Sequence, residues 1–194
     1  MPIVYHKTLD LPKIPEHLYE KVEDILAKPN QKSSGAGWNY ILKEISLELR
    51  NWLTENMPFE LRAMKYCIIR SGIPHHKDFR TLAINYVIKA GGPAVKTSFF
   101  LDDYKTLVDS TICREGTWNY LSTGRVHWVH DFDEDPTDPM KGLRIILSVA
   151  PENISKFFED YIPEQTDVPA SYGGYTKSPL PIIGATGEIR TPDS

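Results

Sequence analysis

From residue 64 onward the chain adopts the period of strands. The runs MKYCIIR, TLAINYVI, KTSFFL, YKTLVD, STICRE, TWNYL, VHWV and LRIILSV are short and rich in β-branched and aromatic residues, and Gly, Pro, Asp or Ser separates them. About eight strands are therefore predicted between residues 64 and 150. KAGGPA and LDDYK, residues 89–94 and 101–105, read as hairpin turns.

Helical spacing precedes this region. In IPEHLYEKVEDILAK the residues Leu18, Val22, Ile25 and Leu26 form one stripe, with Pro15 and Glu16 suited to a first turn. A second stripe runs through Trp38, Ile41, Leu42, Ile45, Leu49, Trp52 and Leu53. Each amphipathic helix needs something flat and apolar beneath it, and a sheet supplies that surface. The predicted fold is mainly β with flanking helices: a double-stranded β-helix (a cupin-like jelly roll) carrying N-terminal amphipathic helices on its outer face. An incomplete barrel of other topology is the competing architecture. At 194 residues one domain is expected, with residues 1–63 as helices packing on the barrel, 64–150 as the core, and 151–194 as a helix in PENISKFFEDYI followed by a loose tail.

Composition narrows the function classes. A formal charge of −4 supplies no basic surplus and does not favour a nucleic-acid partner. No apolar run is long enough to span a membrane, and MPIVYHKTLD lacks the layout of a signal peptide. Cys67 and Cys113 have no CxxC spacing and read as reduced thiols, so a cytoplasmic protein is expected.

Polar residues inside strands then become informative. His76 and Asp78 stand two apart, on one face of an extended chain, and His127 lies in a later strand. His130 is a rival to His127, but His127 alternates with Val126 and Trp128, both expected to face outward, whereas His130 borders an acidic turn. His75 is expected on the face opposite His76. In GLRIILSV the residues Leu143, Ile145, Leu147 and Val149 make one apolar face, with Arg144 and Ser148 on the other. A guanidinium inside a barrel needs a partner, and a dicarboxylic acid would meet its planar fork bidentately. Two imidazoles and one carboxylate on one side of a metal make the facial triad of non-haem Fe(II) sites that activate oxygen.

The order HxD, distal His, then Arg with Ser four residues on resembles the Fe(II)/2-oxoglutarate-dependent dioxygenases, particularly small members related to prolyl and aspartyl/asparaginyl hydroxylases. The stretches YCIIRSGIPHHKDFRTLAINYVI and NYLSTGRVHWVHDFDEDPTDPMKGLRIILSV look like the two halves of their double-stranded β-helix, a match covering about residues 64–150. The resemblance implies His76, Asp78 and His127 as iron ligands, and Arg144 holding the distal carboxylate of 2-oxoglutarate with Ser148 assisting. It makes Tyr66 and Asn85 candidates for further co-substrate hydrogen bonds. Implied with them are Fe(II), 2-oxoglutarate and O2, and hydroxylation of a small-molecule or peptidyl substrate with release of succinate and CO2. The gap from His127 to Arg144 is longer than the pattern usually has, because DFDEDPTDPMKG intervenes.

Other classes stay open: a cupin-like binding or structural module without oxygen chemistry, or a zinc or manganese site for hydrolysis or isomerisation. The acidic run from Asp131 to Asp138 has Pro136 where a calcium loop needs Gly, and reads as a solvated hairpin loop. GATGEIRTPDS, residues 184–194, looks like read-through into a transfer-RNA gene, which would suit a bacterial, phage or metagenomic origin, and no chemistry is assigned to it.

Overall fold

A computed structural model describes residues 3–30, 40–78, 80–138 and 140–165, together with the short pairs at 182–183 and 189–190. In chain order the elements are β1 (His6–Leu9), a 3-10 turn (Glu16–Leu18), α1 (Val22–Ala27), β2 (Tyr40–Lys43), α2 (Leu47–Asn56), β3 (Leu61–Ile69), β4 (Ile73–His76) and β5 (Ala83–Ala90). There follow β6 (Lys96–Phe100), β7 (Leu107–Thr111), β8 (Trp118–Leu121), β9 (Val126–His130), β10 (Arg144–Pro151), α3 (Ile154–Tyr161), β11 (Ile182–Ile183) and β12 (Ile189–Arg190).

Two antiparallel sheets make a jelly roll. A six-stranded sheet has the order β1-β8-β5-β10-β3-β2, and a four-stranded sheet has the order β4-β9-β6-β7. From β3 to β10 successive strands switch repeatedly between the sheets, which is what brings residues distant in sequence into one interior.

Alternation divides the larger sheet into two faces. On one, Tyr66, Ile68, Ile84, Tyr86, Trp118, Tyr120, Ile145, Leu147 and Val149 join Ile25, Leu49, Leu53, Phe157 and Phe158 in a helix-covered core. On the other, Cys67, Ile69, Val87, Leu121 and Ile146 meet Phe99 of the smaller sheet. The apolar row read from the β10 sequence thus lies under the helices, and the row bearing Arg144 and Ser148 faces the interior between the sheets. Ser46 caps α2 by accepting from the Leu49 amide at 3.2 Å, and Asn153 caps α3 by accepting from the Lys156 amide at 2.9 Å. No helix among the described residues is long and apolar enough to cross a membrane.

Several local expectations are corrected. The stripe assigned to one helix from Trp38 to Leu53 is split. Tyr40–Lys43 is a strand paired with β3, and only after the Ser46 cap does the helix begin. Ile41 packs on the helix-covered face and Leu42 on the interior one, so neighbouring apolar residues serve both faces of a strand and counterfeit a helical stripe. Trp38 lies outside the described residues. The first helix is likewise broken into the 3-10 turn and α1. The N-terminal third is therefore more than helical covering, because β1 and β2 form the two edges of the larger sheet.

YKTLVD and STICRE yield the single strand β7, while IPHH supplies an unanticipated β4. LDDYK does lie in a hairpin, with Phe100 opposite Leu107 and the Asp103 carboxylate accepting from the amides of Lys105 and Thr106, each at 2.8 Å. KAGGPA does not, because β5 and β6 belong to different sheets and the segment arches between them. Gly91 and Gly92 adopt φ of 86° and 139°, and a Cβ on Gly92 would stand 2.8 Å from the Cβ of Asp133, so the arch requires residues without side chains there. The tail from 184 to 194 lies outside the described residues apart from β12, which pairs with β11.

Candidate metal centre

The centre is built where β4 and β9 pair, with His76 directly opposite His127 and their ring centroids 4.1 Å apart. Beyond β4 the Asp78 amide donates to the Thr123 carbonyl at 2.8 Å, which pins the carboxylate-bearing bend to the turn before β9. One ligand atom from each of His76, Asp78 and His127 lies within 4.8 Å of the other two. That span is close to what two metal–ligand bonds of about 2.1 Å bridge.

Both imidazoles have their tautomer set by the backbone. Nδ1 of His76 lies 2.7 Å from the Pro74 carbonyl and Nδ1 of His127 lies 2.9 Å from the Arg125 carbonyl. A carbonyl only accepts, so each Nδ1 carries a proton, and in the neutral ring that leaves Nε2 with the lone pair a metal requires. His127 is 4% exposed, and burial, then the neighbouring His76, lowers its pKa to about 4, against the pull of Asp78. Burial alone would raise the pKa of Asp78, but Arg80, His127 and His76 outweigh it and hold the group below the usual carboxylate range. With its side chain 27% exposed, Asp78 keeps access to water beside the buried His127.

These shifts predict a pH dependence for the metal-free protein. The His127 pKa falls from 6.5 unfolded to about 4 folded, so between those values the unfolded chain binds more protons. Stability should drop by roughly 3 kcal/mol as pH falls through that window. His75, lowered by burial and by His130 and His76, works in the same direction. Thermal melts from pH 7 to pH 4 check this, and His127→Gln should flatten most of the slope.

Other candidates fall into distinct places. Arg144 opens β10, is 2% exposed, and its Nη1 has no hydrogen-bond partner among the described residues. Its guanidinium lies beside the Cys113 thiol, whose pKa burial raises and Arg144 opposes. Asn85 stands opposite Ser148 across the β5–β10 ladder, both are buried, and Asn85 Oδ1 also lacks a partner among the described residues. Ser148 Oγ is already engaged, accepting from Arg80 Nη1 at 2.8 Å, about 13 Å along the strand from Arg144. The expectation that Ser148 assists Arg144 is corrected accordingly.

Tyr66 is a second correction. It lies on the helix-covered face, with Lys28 Nζ 5.4 Å from its ring centroid, and it turns away from the centre because only its neighbour Cys67 faces the interior. His130 stays out of the centre too: its ring stacks on Trp128 at 4.0 Å and reaches Ser98 Oγ at 2.8 Å and Asp131 at 3.0 Å. His75 sits with Phe100 and Trp128, ring centroids 4.4 and 5.0 Å away, on that same outer surface. Trp128 is half-buried as expected of an outward residue, but Val126 is fully buried.

Sequence reasoning passed over Arg80. Its Nε donates to Asp78 Oδ2 at 3.1 Å while Nη1 reaches Ser148. The signal was present in HHKDFR, since residues 76, 78 and 80 recur at the spacing that shares one face of an extended segment. A cavity of about 450 Å3 lies beside Arg144, where its neighbours Gly91 and Cys113 line it with Lys89, Arg114 and Lys141.

No family model matches the sequence, and no curated protein does either. Among solved structures, an oxidoreductase of the 2OG-Fe(II) oxygenase family from Burkholderia pseudomallei is similar over 66% of this chain and 78% of its own, with 10% identity and a TM-score of 0.44.

Proposed function

We propose that the chain is an Fe(II)- and 2-oxoglutarate-dependent oxygenase that hydroxylates a C–H bond of a small-molecule or peptidyl substrate, releasing succinate and CO2. The observation that carries the reading is a pairing. Two imidazoles and a carboxylate converge on one point, and the same interior holds a buried arginine whose Nη1 has no hydrogen-bond partner among the described residues. A jelly roll that only binds or supports has no use for such an arginine, whereas a dicarboxylic co-substrate would satisfy it bidentately.

His76, Asp78 and His127 would hold the metal and leave its remaining positions to the 2-oxo acid and O2, and the bound metal would activate O2, the oxidant for both the 2-oxo acid and the substrate C–H bond. The protein's own residues do the rest. The Pro74 and Arg125 carbonyls keep both Nε2 lone pairs aimed inward, and Arg144 receives the distal carboxylate. Asn85 offers a further hydrogen bond. Phe99, fully buried with its ring 6.3 Å from that of His127, keeps water from one side. The proposed setting is the cytoplasm, where Fe(II) persists and the buried Cys67 and Cys113, which form no disulfide, stay thiols.

The test is anaerobic addition of Fe(II) and then 2-oxoglutarate, following the weak visible charge-transfer band of the chelate. The band should appear in the parent and be lost in Asp78→Ala, and Asp78→Glu, longer by one methylene, should lose most succinate formation. A parent that binds Fe(II) yet shows neither band nor 2-oxoglutarate decarboxylation would overturn the proposal.

A further inference from the structure

Asp78 has two oxygens, and the structure treats them differently. Oδ1 faces the imidazoles, 3.7 Å from His76 Nε2, while Oδ2 accepts from Arg80 Nε at 3.1 Å. The other arm of the same guanidinium donates from Nη1 to Ser148 Oγ at 2.8 Å, across 68 residues of sequence. Arg80 thus ties the carboxylate on the β4 side of the interior to a residue in the middle of β10, the strand with neighbours on both sides in the larger sheet. A planar fork with donors fixed relative to one another suits that task better than an ammonium, which holds one point.

We propose that Arg80 is a positioning residue for the metal carboxylate: it occupies Oδ2, presents Asp78 to the metal through Oδ1 alone, and takes its own orientation from Ser148. The inference rests on the reading of His76, Asp78 and His127 as metal ligands. An opposing force exists, because a guanidinium close to a divalent cation repels it. The sign of the effect decides between positioning and mere charge neutralisation of Asp78 in metal-free protein.

Co(II) serves as the probe, because its visible absorption reports ligand number and geometry independently of turnover. Arg80→Met should weaken Co(II) binding about 10- to 100-fold, the usual consequence of losing a group that orients a ligand, and should alter the ligand-field spectrum. Arg80→Lys should restore the charge but not the spectrum. Ser148→Ala, which leaves Arg80 its bond to Asp78, should weaken binding by about threefold. Unchanged or tighter Co(II) binding with the parental spectrum in Arg80→Met overturns the proposal. Should that variant fail to fold, Arg80→Lys decides, and a parental spectrum there overturns it equally. His127→Ala separates the two levels. If it binds Co(II) as the parent does, the metal-centre reading itself has failed, whereas loss there with parental behaviour in the Arg80 variants removes only Arg80.

Discussion

His127→Ala is expected to lose Fe(II) affinity by more than about a hundredfold, and 2-oxoglutarate turnover with it, while His130→Ala leaves both within about twofold of the parent. The contrast follows from one strand. His127 and His130 are three residues apart on β9, so alternation sends the first ring to the interior and the second to the outer surface. His127 is buried, neutral, and aligned by the Arg125 carbonyl opposite His76. His130 is committed to Ser98, Asp131 and the face of Trp128. Isothermal titration with Mn(II) as a redox-inert stand-in, beside a succinate assay, measures the two variants. A dead His130→Ala with an active His127→Ala would reverse the assignment.

The second large effect runs in opposite directions for binding and for stability. Arg144→Met removes a bidentate, charge-assisted contact of about 2–4 kcal/mol, so 2-oxoglutarate affinity should fall roughly 30- to 1,000-fold. The same change removes a guanidinium that is 2% exposed and whose Nη1 has no partner among the described residues, and puts an apolar side chain of similar length beside Cys113. Ligand-free protein should therefore become more stable, by about 1–4 kcal/mol. Chemical denaturation with and without 2-oxoglutarate gives both numbers. In the parent, added 2-oxoglutarate should raise stability, and in the variant it should not. An Arg144 kept for structure alone would show the opposite sign, a less stable variant.

What could be read from sequence depended on whether local polarity marks a face. Along β10 it does: Leu143, Ile145, Leu147 and Val149 alternate with Arg144 and Ser148, and the structure puts the two rows on opposite sides of the sheet. Along β3 it does not. Tyr66, Cys67, Ile68 and Ile69 are each at most 3% exposed, because both faces of that strand are covered, so nothing local says that Tyr66 turns away from the centre. The same double burial made Ile41 and Leu42 look helical. The arch at Gly91 and Gly92 carries the composition of a hairpin turn, and only the sheet partners of β5 and β6 distinguish the two. Arg80 escaped for a different reason. Its significance comes from a hydrogen bond to Ser148, and no spacing rule reaches across 68 residues.

The placement of β10 has a consequence for the birth of the protein. It pairs with β3 on one side and β5 on the other, with Ser148 opposite Lys65 and Asn85. Until residue 151 has left the ribosome, the strands of the larger sheet can pair only as two fragments, β1-β8-β5 and β3-β2, each with an edge that β10 will later satisfy. Such long-range closure is slow, and the waiting fragments are exposed to misassembly. The anchor for Arg80 arrives with that same strand. Synthesis therefore orders the events: His76, Asp78 and His127 are all made before the strand whose Ser148 receives Arg80, so the proposed metal centre would gain its hold on Asp78 only after translation has passed β10.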